Sequence, residues 1–84
     1  MSKPIIYSAV WCGFCHATKQ YLDDKDIAYE DRDVESDPKF ATESVTKSGQ
    51  RGIPVIDIDG DIIVGFDRPR IDAALAKHNI APAQ

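Results

Sequence analysis

Residues 5–15 read IIYSAVWCGFC, an apolar and β-favouring segment followed closely by both cysteines of the chain. The pattern predicts a strand over 4–8, a short loop, and a helix that begins at Gly13, so the two cysteines lie at a strand-to-helix junction. Two cysteines at this spacing and position are typical of redox chemistry. One thiolate attacks the disulfide of a partner, and the second sulfur then resolves the mixed disulfide by intramolecular attack.

Three other interpretations of the cysteine pair are weaker. A disulfide across so short a loop removes little entropy from the unfolded chain, which disfavours a structural staple. Inert core cysteines have no reason to share the start of a helix. Zinc prefers four ligands, and His16 and His78 do not form a second paired spacing with the cysteines. We therefore expect a redox pair, and no bound metal.

The first half of the chain predicts a helix, a weak strand and a second helix. The helix over 13–25 places Phe14, Ala17, Tyr21 and Leu22 at helical spacing. The strand over 28–34 is rich in charge, so we place it at an edge of the sheet. Ser36-Asp37-Pro38 is a helix start, and Gly49 suits the position just after the end of that helix.

The second half predicts a hairpin and a last helix. An apolar run over 53–58, an Asp59-Gly60 turn signal and a returning strand over 61–64 form the hairpin. Asp67 caps a helix whose apolar side includes Ile71, Ala74, Leu75 and His78, and the tail 81–84 is expected to fray. The order β-α-β-α-β-β-α predicts an α/β domain over 1–84, with a mixed four-stranded sheet and a parallel, right-handed first β-α-β unit.

Composition limits the partners. The 84 residues carry a formal net charge of -4, which argues against a nucleic-acid partner because counterion release needs a basic face. No apolar run approaches the roughly 18 residues of a membrane span, and no apolar leader follows Met1. We expect a cytoplasmic monomer that does not bind membranes.

The acidic residues are unevenly distributed. Eight of the 14 lie between Asp23 and Asp37. A solvated sheet edge is the favoured interpretation, because charge on an edge strand prevents edge-to-edge pairing. The alternative is a docking surface for a basic reductase or substrate.

Three motifs together resemble the glutaredoxins: Cys-x-x-Cys after the first strand, Gly52-Ile53-Pro54 before the hairpin, and Gly65-Phe66-Asp67 before the last helix. The resemblance covers nearly the whole chain and implies a thioredoxin-like fold and thiol-disulfide oxidoreductase activity. Cys12 is the expected nucleophile, because unpaired N–H groups and the helix dipole at the helix N-terminus favour its thiolate. Cys15, one turn inside, is the expected resolving thiol. The resemblance also implies that Pro54 is cis.

The resemblance extends only in part to the contacts with glutathione. Arg51, Ile53, Gly65 and Asp67 match family positions that hold this tripeptide, whereas Ala9, Gly52, Val64 and Arg68 replace residues that contact it. Each lost charge-assisted bond is worth roughly 1.5 to 3 kcal/mol, so glutathione binding is expected to be weakened. Trp11, Phe14, Pro54 and Phe66 complete the predicted substrate-binding set. For Phe66, core packing and an exposed platform beside the dithiol are equally supported.

Other details are similar to several subfamilies. The run Cys15-His16-Ala17-Thr18-Lys19 and a Gly-Phe pair near Arg68-Pro69 resemble the glutaredoxin-like hydrogen donors of ribonucleotide reductase, which thioredoxin reductase recharges. Trp11-Cys12-Gly13 is similar to the mycoredoxins, and Gly13-Phe14 to the glutaredoxins that carry iron-sulfur clusters.

We therefore predict a dithiol oxidoreductase without a bound cofactor that acts on disulfide-containing proteins, including ribonucleotide reductase. Either glutathione or thioredoxin reductase recharges it. The alternative is a glutathione-dependent iron-sulfur carrier. Because Phe14 stands where thioredoxins have proline, we expect a potential of roughly -200 to -230 mV.

Overall fold

The computed structural model describes residues 3–80, which form seven elements in the predicted order. The strands are β1 (Ile5–Ser8), β2 (Glu30–Asp33), β3 (Val55–Ile58) and β4 (Asp61–Val64), and the helices are α1 (Gly13–Asp24), α2 (Pro38–Ser48) and α3 (Arg68–Lys77). The sheet order is β2-β1-β3-β4, with β1 parallel to β2 and antiparallel to β3. The α/β class, the thioredoxin-like order and the edge position of β2 are confirmed. The predicted frayed tail lies outside the described residues.

Three strands are shorter than predicted, the first by only one residue, since β1 begins at Ile5. The strand predicted over 28–34 forms only at Glu30–Asp33, because β1 offers four residues for pairing, from Ile5 opposite Glu30 to Ser8 opposite Asp33. The strand predicted from the apolar run over 53–58 begins only at Val55, since Pro54 has no N–H to donate to a neighbouring strand.

Local turn and cap predictions are confirmed. Asp59 and Gly60 both have positive φ, of 50° and 98°, as a type I′ hairpin turn requires. The Asp37 and Asp67 carboxylates cap α2 and α3 by accepting first-turn amide N–H groups. Gly49 follows α2 in the left-handed conformation, with φ of 72°.

The main hydrophobic core lies between the sheet and the helices α1 and α3. The strand register aligns Ile6, Ile56 and Ile63 on this face of the sheet. They pack with Leu22 of α1 and with residues of α3. The predicted apolar side of α1 is partly wrong, because Phe14 is 70% exposed and the buried residues are Cys15, Thr18 and Leu22. No helix formed by residues 3–80 is long and apolar enough to span a bilayer.

The opposite face of the sheet is covered by α2, and side-chain hydrogen bonds and ion pairs hold it there. The Tyr7 hydroxyl donates to the Glu43 carboxylate at 2.8 Å, and Arg32 reaches the same carboxylate at 2.6 Å. Lys47 pairs with Asp57 of β3 at 2.6 Å. Ser44 is the one fully buried residue of this helix. Polar contacts rather than apolar burial therefore fix the position of α2 on the sheet.

Candidate active site

The two cysteines form a disulfide at the N-terminus of α1. Cys12 is the N-cap residue, and the amide N–H of Cys15 donates to Cys12 Sγ at 3.2 Å. The Cα atoms are 5.2 Å apart. Cys12 retains 6% of its surface and Cys15 retains none, so the expected difference in access between the two thiols is present. The assignment of Cys12 as nucleophile and Cys15 as resolving thiol stays a prediction.

A small apolar cluster surrounds the disulfide. It consists of Ala9, Cys12 and Cys15, with Val34 and Ile53 packed against it. The first-turn N–H groups of α1 point toward Cys12 and favour a negative charge there. The apolar surroundings of Cys15 have the opposite effect on a thiol, because burial disfavours the thiolate.

The loop before β3 borders the disulfide, and its Ile53–Pro54 peptide bond is cis, as the family resemblance implied. Within residues 3–80, none of the hydrogen bonds uses the backbone of Ile53, which leaves its N–H and C=O available to an extended partner. The Pro54 carbonyl accepts the amide of Gly65 at 2.8 Å. Gly65 has φ of 84°, a conformation that strains any residue with a side chain.

An open groove of about 380 Å³ extends from the disulfide cluster along α2. Its lining is mostly apolar and consists of Val34, Ala41, Thr42, Ser44, Val45, Arg51 and Ile53. Arg51 is exposed, and no ion pair holds it within the described part of the chain. The groove therefore combines apolar walls with one available cation.

Trp11 and Phe14 are exposed beside the disulfide, at 67% and 70%. The Trp11 indole N–H donates to Glu35 at 2.9 Å, which anchors the ring although most of it faces solvent. The loop is also braced from α1, where His16 Nε2 lies 2.7 Å from the carbonyl oxygen of Val10. Sequence reasoning did not foresee Glu35 as the partner of Trp11, because the contact joins segments 24 residues apart.

Of the three residues in segment 65–67, one lies beside the active site and the others contact the core or cap α3. Gly65 lies next to Pro54, whereas the Phe66 ring packs against the main core and meets Tyr21 edge-on, with 5.7 Å between ring centroids. This placement favours core packing over an exposed platform for Phe66. Asp67 caps α3, and the Arg68 guanidinium lies over the Phe66 ring at 5.8 Å.

A polar contact near the dithiol was also missed from the sequence. Lys19 Nζ lies 2.9 Å from a carboxylate oxygen of Asp31, whose other oxygen accepts the Ser8 hydroxyl at 2.5 Å. Burial opposes ionisation of Asp31, but Ser8 and Lys19 outweigh it and hold the pKa of this carboxyl below its usual range. The spacing of Lys19, four residues after Cys15, indicates that the two share one face of α1, but the sequence carries no signal for the contact with Asp31.

The parts that meet at this end of the molecule are a disulfide at a helix N-terminus, a neighbouring loop with free backbone groups, and an apolar groove. Together with the sheet order, they define a thiol-disulfide oxidoreductase with a thioredoxin-like fold. The glutaredoxin family model matches residues 5–63, and the chain belongs to the glutaredoxin family.

Curated relatives agree with this assignment. A glutaredoxin-like 8.6 kDa protein in the rubredoxin operon of Clostridium pasteurianum is 46% identical over 72 residues, covering 86% of this chain and 96% of that protein. The glutaredoxin-like protein NrdH of Lactococcus lactis is 35% identical over 71 residues, covering 84% of this chain and 96% of that protein.

Among solved structures, NrdH-redoxin from Escherichia coli, a protein described as having a thioredoxin-like activity profile, superimposes with a TM-score of 0.76 at 26% identity. That match covers 99% of this chain and all of the other. The chain is thus an NrdH-like member of the family.

Proposed function

We propose that this protein reduces disulfides in other proteins by a dithiol mechanism, in which Cys12 attacks and Cys15 resolves. The observation that supports these roles is the difference between the two sulfurs. Cys12 caps α1 and keeps some access to solvent, whereas Cys15 is fully buried behind it. An extended segment of the partner would pair with the free backbone groups of Ile53, and its side chains would enter the groove next to Arg51.

Thioredoxin reductase, rather than glutathione, recharges the dithiol in this proposal. Ala9 stands where glutaredoxins have a lysine for the tripeptide and is itself 1% exposed, so this position supplies no cation to the site. The similarity to NrdH-redoxin supports the same choice, because the activity profile of that protein is described as thioredoxin-like. No bound cofactor takes part, and ribonucleotide reductase is one candidate acceptor of the electrons.

Single-cysteine variants test the roles of the two thiols. Cys15→Ser should accumulate a mixed disulfide with a protein substrate, visible by mass spectrometry, while Cys12→Ser should lose turnover altogether. Serine is a favoured N-cap residue at position 12 and has nearly the shape of cysteine at position 15, and circular dichroism checks that each variant is folded. Equal residual activity in the two variants would refute the assignment.

A paired assay tests the reductant. The protein is supplied with NADPH plus thioredoxin reductase, or with NADPH, glutathione and glutathione reductase, and each system is given one small and one protein disulfide. We expect turnover with thioredoxin reductase to exceed turnover with glutathione at least tenfold for the protein disulfide. Turnover with the glutathione system alone would show that the missing contacts at Ala9 and Val64 do not matter.

The iron-sulfur carrier predicted as the alternative has a separate test. Anaerobic reconstitution with iron, sulfide and glutathione should give no stable visible absorption band if the protein acts only as a reductase. A stable band that disappears in Cys12→Ser would establish the carrier function instead.

A further inference from the structure

Lys19 is a cation held in place one turn of α1 after Cys15, the proposed resolving cysteine. Its ammonium lies 2.9 Å from Asp31 of β2 and 3.4 Å from the Ser8 hydroxyl of β1, and its side chain is only 18% exposed. Lys19 follows Cys15 by four residues on α1, so the two side chains share one face of the helix, with Cβ atoms about 5–6 Å apart. Ser8 also immediately precedes Ala9, which packs against Cys15. The contacts with two strands therefore fix a positive charge one turn of α1 away from a fully buried thiol.

Cys15 needs such a charge in order to react. To resolve a mixed disulfide it must become a thiolate, but it has no exposed surface and its neighbours in the cluster are apolar. Burial of this kind raises the pKa of a thiol. The helix N-terminus acts mainly on Cys12, which is the N-cap residue, and its effect declines within the first turn.

The other charged groups near this site do not replace Lys19. His16 on α1 is exposed and contacts the Val10 carbonyl. The end of β2 and the segment after it contribute only carboxylates: Asp33, which accepts the amide N–H of Glu35, and Glu35, which accepts the Trp11 indole N–H. Arg51, in the loop before β3, is exposed at the groove. Lys19 is the cation that the fold holds on the face of α1 that carries Cys15.

We propose that the Lys19 ammonium, positioned by Ser8 and Asp31, stabilises the Cys15 thiolate and thereby sets the rate at which the mixed disulfide is resolved. In this step Cys15 loses its proton and attacks Cys12 Sγ. The bond between Cys15 and Cys12 forms, and the bond between Cys12 and the partner sulfur breaks. The departing partner thiolate takes up a proton. Overall the dithiol loses two electrons and two protons, and the partner disulfide gains both. Lys19 is a positioning residue, because it does not itself react.

The expected effect of Lys19→Gln on the rate of the resolving step changes sign with pH. Lys19→Gln should raise the pKa of Cys15 by about one unit, which reduces the thiolate fraction tenfold below that pKa. A more basic thiolate is also more nucleophilic, with a Brønsted coefficient of about 0.4–0.5, so the net resolving rate should fall only about threefold on the acidic side. Well above both pKa values the variant should resolve about threefold faster than the unmodified protein, by the same coefficient. A purely structural salt bridge would not produce this crossover.

The pKa of Cys15 is measured directly in a Cys12→Ser background from thiolate absorbance against pH. Lys19→Gln should raise it, and Lys19→Arg should restore it. Asp31→Asn should lower it, because the asparagine side-chain oxygen can still accept the Lys19 ammonium while the neighbouring negative charge is gone. Lys39→Gln, an exposed lysine on α2, is the matched control and should leave it unchanged. An unchanged pKa in Lys19→Gln, or shifts in the same direction for Lys19→Gln and Asp31→Asn, would overturn the proposal.

The inference relies on the proposed resolving role of Cys15, and the two can fail separately. The resolving step is timed by stopped-flow mixing with a protein disulfide, whereas attack by Cys12 is timed in Cys15→Ser. If Cys15→Ser turns over like the unmodified protein, the assigned roles are wrong whatever Lys19 does. If Cys15→Ser traps the mixed disulfide but Lys19→Gln resolves it with an unchanged pH profile, the mechanism stands and the role of Lys19 is refuted.

Discussion

Phe14→Pro should make the dithiol more reducing. Phe14 stands between the cysteines at the second position of α1, and 70% of its surface is exposed, so loss of the ring costs the core little. Proline is tolerated there, because amides of the first helical turn have no intrahelical partner. The chain already has a proline in the equivalent place: Pro69 is the second residue of α3, two residues after the N-cap Asp67. The substitution therefore tests chemistry rather than folding.

The expected size of this change follows from the two types of site. Thioredoxin, with proline at this position, has a potential near -270 mV, and glutaredoxins lie at about -200 to -230 mV. Phe14→Pro should shift the potential by about 50 mV toward the thioredoxin value, which for two electrons is about 2.3 kcal/mol. The measurement is a redox titration against a thiol buffer, followed by the fluorescence of Trp11, which lies beside the disulfide.

Phe14→Ala is the matched control, since it removes the ring and keeps the amide. It should change the potential by less than about 10 mV, well under the 30 mV that corresponds to 1.4 kcal/mol. If Phe14→Pro and Phe14→Ala shift the potential equally, the ring rather than the proline sets it, and the reasoning fails.

Three further predictions concern stability. Leu22→Ala should lower the free energy of unfolding by about 2–5 kcal/mol in urea denaturation, whereas the exposed Val10→Ala should stay within about 0.5 kcal/mol; equal losses would contradict the described core. Asp67→Ala should cost about 1 kcal/mol through the lost cap, and Asp67→Asn much less. Hydrogen bonds from His78 and Lys77 lower the pKa of the Asp61 carboxyl, so its contribution is present above its unfolded-state pKa and lost as the pH falls through its lower folded-state pKa. His78→Gln should weaken this acid dependence in unfolding curves measured between pH 2 and 6, and an unchanged dependence would refute it.

The features predicted best from the sequence are those that depend on neighbouring residues. Asp37, Gly49 and the Asp59-Gly60 turn act through their own backbone conformation, and each was located correctly. The ends of strands were predicted less accurately, because the length of β2 is set by its pairing with β1 and not by its own residues.

Contacts between distant segments were not predictable from spacing. Amphipathic periodicity placed Phe14 on the packed side of α1, although at this end of the helix the buried side carries Cys15 and the Phe14 side chain is 70% exposed. The partner of Trp11, Glu35, follows β2 and reaches the active-site loop only after β1 and β2 pair side by side.

The two thiols also differ in whether residues near in sequence or distant segments control their ionisation. Cys12 is favoured as a thiolate by the backbone of its own helix, which its position in the sequence already indicates. Cys15 is buried, and under the proposed role for Lys19 its ionisation depends on side chains from β1 and β2. Asp31 therefore has a role beyond keeping the sheet edge charged, because it pairs with Lys19, which follows Cys15 by one turn of α1. It follows that substitutions at Asp31 in β2 should leave the attack by Cys12 intact and act on the resolving step, although β2 is an edge strand and carries no reacting atom.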